Sequence, residues 1–159
     1  MKNIVELLIE KNKKISTMES CTGGAIANYI TNIPDASRVF AFSAVTYSNE
    51  YKIKMGVSKE IIDKYTVYSM EVANEMAKVI SFYTNSNYGV GITGKLKKAD
   101  ENNMFGEDDV VYLSIYDKDH DKFYNEKIRL KNEERNENKN QILEETINIL
   151  NNILKKNCC

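Results

Sequence analysis

The sequence predicts a single α/β domain: a three-layer α/β/α sandwich around a mixed, mostly parallel sheet. Three observations predict it. The chain has 159 residues, the usual size of one domain, with no linker-like stretch and no internal repeat, so residues 1–159 are read as one unit. Segments of helical periodicity alternate with short apolar runs, the pattern of helices packed on buried strands. Two adjacent strand-like segments late in the chain read as a hairpin, which adds an antiparallel pair to the sheet.

Ile4 to Lys11 is a short helix with Ile4, Val5 and Leu8 on one side. Lys13 to Met18 is extended and leads into Glu19-Ser20-Cys21-Thr22-Gly23-Gly24. A helix runs from about Gly24 to Thr31, and Pro34 with Asp35 marks a loop. Val39 to Tyr47 is rich in Val, Phe and Thr and nearly all apolar, which predicts a strand buried on both faces. Asn49 to Met55 is helical, and Ser58 caps a helix with Ile61 and Ile62 behind it. Ser69 caps the clearest helix, in which Val72, Met76, Val79 and Tyr83 recur at helical spacing. Tyr88 to Thr93 is a short buried strand ending at Gly94, and Lys95 to Asp109 is a polar loop. Val110–Tyr116 and Lys122–Leu130 form the hairpin, with Asp117 to Asp121 at its tip. The last helix runs from about Asn136 to Lys155, with Ile142, Thr146, Ile147, Leu150 and Leu154 as its inner stripe.

Composition narrows the function classes. Lys and Arg total 22 against 23 Asp and Glu, a net charge of −1, so no global field draws the chain to nucleic acid or to an anionic membrane. Apolar runs are only a few residues long, too short to span a bilayer, and the acidic Glu6 and Glu10 interrupt any secretion signal. The single histidine, His120, rules out a multi-His metal site within one chain, and its place between charged residues predicts an exposed hairpin tip. Cys21, Cys158 and Cys159 are an odd, irregularly spaced set, which fits a reducing cytoplasm better than a disulfide scaffold; the terminal pair reads as a frayed tail. No cofactor or metal is expected.

Four segments could carry chemistry. Gly23 and Gly24 follow a strand and open a helix, so the turn either offers N–H groups to an anion such as phosphate or is an ordinary tight turn with capping hydroxyls. Thr46 to Lys52 lies at the end of a strand, where ligands collect in α/β sheets, although an isolated lysine one turn into a helix is most often solvated. Thr93, in Gly91-Ile92-Thr93-Gly94, offers a hydroxyl to a ligand or to the turn itself. Arg135 precedes the last helix in an acidic, Asn-rich stretch and reads unaided as a surface residue. Cys21 could be a nucleophile at a helix N-terminus, but it ranks below the serines because no base is evident near it.

Together these segments resemble the CinA C-terminal domain family, the nicotinamide-nucleotide amidohydrolases. Glu19 to Gly24 reproduces the family's Glu-Ser-Cys-Thr-Gly-Gly motif, and Val45 to Lys52 its Val-Thr-Tyr-Ser-Asn-Glu-x-Lys motif. Gly56 to Ser58 and Ile92-Thr93-Gly94 match shorter stretches. The resemblance implies a Ser/Lys hydrolase that converts nicotinamide mononucleotide and water to nicotinic acid mononucleotide and ammonia, acting on a small nucleotide substrate as a homo-oligomer, with a dimer expected. It implies Ser37 as nucleophile, Lys52 as base and Tyr47 as a site tyrosine. Ser20, Thr22, Gly23, Gly24, Thr93 and Arg135 follow as substrate-binding positions. A free lysine, with pKa ~10.4, is almost wholly protonated at neutral pH. A lysine base therefore needs burial or a neighbouring cation, such as Arg135, to hold it neutral.

The chain departs from the family in three places. Asp35 and Ala36 stand where the family has Gly and Ser before its nucleophile. Only the arginine of the late Gly-Asp-Arg is kept, at Arg135. The Gly- and Pro-rich loop after the third motif is replaced by charged residues from Lys95 onward. That loop implies an alternative: a CinA-like nucleotide-binding or protein-interaction domain that has lost catalysis or shifted its substrate.

Overall fold

The computed structural model describes residues 3–96 and 104–156. The expectations for Cys158, Cys159 and the middle of the polar loop lie outside the described residues. The elements are α1 (Ile4–Glu10), β1 (Ile15–Glu19), α2 (Ala25–Thr31), a single-turn 3-10 helix (Ala36–Arg38), β2 (Phe40–Val45), α3 (Asn49–Lys54), α4 (Lys59–Tyr65), α5 (Met70–Thr84), β3 (Tyr88–Gly94), β4 (Val110–Asp117), β5 (Lys122–Arg129) and α6 (Arg135–Lys156). Side-chain caps start several helices. Asn3 and Glu6 form a capping box on α1, and Ser48, Ser58 and Ser69 each accept a backbone N–H from α3, α4 and α5.

The sheet order is β2-β1-β3-β4-β5. β1 pairs in parallel with β2 and β3, whereas β3–β4 and β4–β5 are antiparallel. The sheet is therefore mixed as expected, but it is not mostly parallel: the antiparallel pairings equal the parallel ones in number. β4 runs back alongside β3 and β5 back alongside β4, so only the two pairings of β1 are parallel.

Side chains alternate across the sheet and bury two apolar layers. Ile15, Val90, Ile92, Leu113 and Ile115 pack with α1, α2 and α6 on one face. Met18 and Ala44 pack with Val72, Met76 and Ile80 of α5 on the other. α5 lies unusually close to β3. A Cβ on Gly89 would run into the Ala77 carbonyl, and one on Gly91 into the Ala73 carbonyl. Gly91 thus serves helix–sheet packing rather than a ligand. No helix among the described residues is long and apolar enough to cross a membrane.

β2 overturns one expectation. It is an edge strand and not a strand buried on both faces; Ala41, Phe42 and Val45 are exposed. Its apolar composition had implied two covered faces, but the crossover after β2 sends the chain over β1 to β3 and leaves the outer edge of β2 uncovered.

Candidate functional site

The C-terminal ends of β1 and β2 lie side by side, Glu19 opposite Val45, and the turns that follow them build the site. Glu19 closes β1 with 0% exposure. Its carboxylate accepts hydrogen bonds from Thr22 Oγ1 at 2.7 Å and Thr17 Oγ1 at 3.2 Å. It also accepts the N–H groups of Ile26 at 3.1 Å and Ala27 at 2.9 Å, in the first turn of α2. The anion at that helix N-terminus is therefore supplied from within the chain. Gly23 and Gly24 make the turn possible, with φ of +64° and +93° that side chains with a Cβ rarely adopt. The Gly23 N–H donates back to the Ser20 carbonyl at 3.0 Å.

Ser20 and Lys52 meet at the centre. Lys52 is 1% exposed, although its helix, α3, is only six residues long. Its Nζ donates to the Thr46 carbonyl at 2.8 Å and to Ser20 Oγ at 3.1 Å. An amine held out of water in this way is costly unless its N–H groups are satisfied, as here. Thr46 Oγ1 beside it is buried and has no hydrogen-bond partner among the described residues.

Arg135 reaches the same end of the sheet from the start of α6. Its guanidinium donates to the Leu96 carbonyl at 2.8 Å and to the Tyr47 hydroxyl at 3.4 Å, joining residues 88 positions apart. Tyr47 is 66% exposed, at the rim. Thr93 is buried, and its hydroxyl donates to the Val67 carbonyl at 2.9 Å, so it ties β3 to the segment before α5. Lys95 fastens both ends of the charged loop: its buried Nζ donates to the Gly106 carbonyl at 3.3 Å, approaches Asp108 at 3.4 Å, and lies 5.4 Å from the Tyr68 ring centroid.

Ser37 is placed elsewhere. It is exposed on the 3-10 helix just before β2. There Phe40 pairs with Ile15 at the beginning of β1, whereas Ser20 follows the end of β1. The length of the strand, ~16 Å at ~3.3 Å per residue, separates the two ends. Within one chain, the serine brought to Lys52 is Ser20. His120 also sits at the far end of the sheet, in the β4–β5 turn, where its ring bonds the buried Asp117 carboxylate at 2.8 Å.

Burial pushes the Cys21 thiol up to about 12, and the positive charges of Lys52 and Arg135 offset this only in part. The thiol is therefore neutral and unreactive at physiological pH. Iodoacetamide at pH 8 should leave the Cys21 peptide unmodified in the native protein and alkylate it fully in urea, as read by peptide mass mapping.

Glu19, Lys95 and Lys139 are the residues that sequence reasoning passed over. A signal existed for Glu19: a lone acid closing an uncharged strand, three residues before a threonine and directly ahead of two glycines. Lys139, whose Nζ lies 3.4 Å from where a Cβ on Gly23 would sit, carried none, because that approach is set by how α6 docks.

Comparisons with known proteins agree with this architecture. Provisionally named competence-damage inducible proteins from Clostridium beijerinckii and Clostridium botulinum strain Langeland are 49% and 47% identical to the chain over 92 residues. Each match takes in 57% of this chain and 22% of the relative, so the chain spans a small part of those proteins. The crystal structure of a CinA superfamily protein from Klebsiella pneumoniae 700603 superposes with a TM-score of 0.87 at 19% identity, covering 96% of this chain and 94% of that one. A competence/damage inducible protein from Agrobacterium tumefaciens gives 0.82 at 25% identity, covering 98% and 97%. The CinA C-terminal domain model matches residues 1–154, and the chain belongs to that family.

Proposed function

We propose that this domain is a Ser/Lys amidohydrolase that converts nicotinamide mononucleotide and water to nicotinic acid mononucleotide and ammonia, with Ser20 as nucleophile and Lys52 as its base. The observation that carries the reading is the contact between the buried Lys52 Nζ and Ser20 Oγ. With the amine neutral, the Ser20 hydroxyl donates to the Nζ lone pair while an Nζ–H keeps its bond to the Thr46 carbonyl. Ser20 Oγ attacks the carboxamide carbon and its proton passes to Nζ. The ammonium so formed protonates the departing NH₂, which leaves as ammonia, and the carboxamide carbon is now an ester of Ser20. Water, deprotonated by the same amine, cleaves that ester and returns the proton to Ser20. The unpartnered Thr46 Oγ1 supplies a further polar contact next to the reacting atoms.

The choice between the two serines is testable. Ser20→Ala is expected to reduce ammonia release from nicotinamide mononucleotide by ~10²–10⁴-fold. Ser37→Ala should retain at least half of the wild-type rate. The reverse pattern would move the nucleophile to Ser37 and require a second chain to bring it to Lys52. A second reading, a CinA-like domain that binds nucleotide without turning it over, is favoured by the charged loop fastened by Lys95. Saturable binding of nicotinamide mononucleotide without ammonia release would establish it.

A further inference from the structure

Arg135 and Lys139 are four residues apart on α6 and so share one face of the helix. Arg135 opens the first turn, where the macrodipole disfavours positive charge. Neither makes an ion pair with a carboxylate among the described residues; Arg135 has only the neutral Leu96 carbonyl and Tyr47 hydroxyl. Both cations nevertheless point at the site. Arg135 touches Tyr47 at the rim. Lys139 Nζ lies 3.4 Å from where a Cβ on Gly23 would sit, which places the ammonium in van der Waals reach of the turn. That turn closes on the Ser20 carbonyl, within one residue of the Lys52 contact. The α2 N–H groups that would otherwise hold an anion here are engaged by Glu19. Two cations without a carboxylate partner among the described residues, one at the rim and one against the turn, converge where an anion could sit beside Ser20 and Lys52.

We infer that Arg135 and Lys139 form a clamp for the phosphate monoester of a mononucleotide, held against the Gly23 turn so that the base reaches Ser20. This rests on the proposed amidohydrolase reading for the identity of the rest of the ligand, but not for the phosphate. A phosphate dianion takes up the two positive charges. Lys139 is a binding residue in this arrangement and takes no part in the proton transfers.

The probe is inorganic phosphate, titrated by calorimetry into the wild-type protein, Lys139→Ala and Lys139→Arg. Saturable binding is expected in the wild type, weakened at least tenfold in Lys139→Ala and largely restored in Lys139→Arg. Absence of saturable binding in the wild type, or equal affinity in Lys139→Ala, would overturn the clamp. Ammonia release forms the second arm. Lys139→Ala should raise KM for nicotinamide mononucleotide at least tenfold with kcat within threefold, and leave KM for nicotinamide riboside, which lacks the phosphate, unchanged. An equal rise in KM for both substrates would also overturn it. Phosphate binding that follows the predicted pattern in a protein releasing no ammonia would uphold the clamp and strike only the amidohydrolase reading.

Discussion

Replacing Lys52 by methionine is expected to lower ammonia release by ~10²–10⁴-fold while the protein stays folded. Methionine keeps an unbranched side chain of similar length and removes only the amine. The Thr46 carbonyl and Ser20 Oγ then lose a donor, at roughly 1–3 kcal/mol for each buried group left unsatisfied. Against this, the variant no longer desolvates an amine, which itself costs several kcal/mol when charged. The two effects oppose each other, so thermal unfolding should move by only a few degrees. Lys52→Ala is the contrasting variant. It removes the amine and also the stem, leaving a cavity that costs about 2–5 kcal/mol in a position with 1% exposure. Equal loss of activity in both, with stability lost mainly in alanine, separates the chemistry of the amine from the packing of its stem. If Lys52→Met keeps more than a tenth of the wild-type rate, Lys52 is not the base.

Lys52 also shows where reading the sequence stops. A lysine on a six-residue helix is solvated unless something covers it, and what covers this one is the convergence of the β1 and β2 turns, which no local pattern encodes. Periodicity succeeded where one element decides its own environment. The apolar run of β3 found the two covered faces it predicted, and the stripe of α5 held at Val72 and Met76 but not at Tyr83, which is exposed while Ile80 packs inward. It failed for β2, because an apolar strand reports an aversion to water and not a position in the sheet. Sheet order follows from connections, and the crossover to β3 made β2 an edge. The site divides in the same way. The two motifs that place Ser20 and Lys52 were legible as motifs, but the pairing of those two side chains was not. Arg135 and Tyr47, 88 positions apart, meet only because α6 docks across the end of the sheet.

Glu19→Ala is expected to cost ~3–4 kcal/mol of stability. The carboxylate accepts four hydrogen bonds, and the alanine variant would leave two α2 N–H groups and the Thr22 hydroxyl without their acceptor, while Thr17 keeps Ser43. Hydrogen bonds to a charged group contribute ~1.5–3 kcal/mol each, and the helix dipole adds up to ~2 kcal/mol in a partly buried geometry. Desolvation of the carboxylate offsets part of that sum, which is why the net loss stays below it. For a domain of total stability ~5–15 kcal/mol, the urea midpoint should fall by at least a fifth with the slope unchanged. Glu19→Gln tests whether charge matters beyond shape. Its single amide oxygen still accepts, but its NH₂ would face donors, so about half of the loss should remain. A wild-type urea midpoint in Glu19→Ala would remove the carboxylate as the cap of α2. Activity should fall with stability, because Glu19 holds Thr22 and the first turn of α2, and Ser20 lies between that anchor and Lys52. A shift of ~1 Å in a reacting group costs about 10²-fold in rate, so the carboxylate that caps the helix is also what aims the serine.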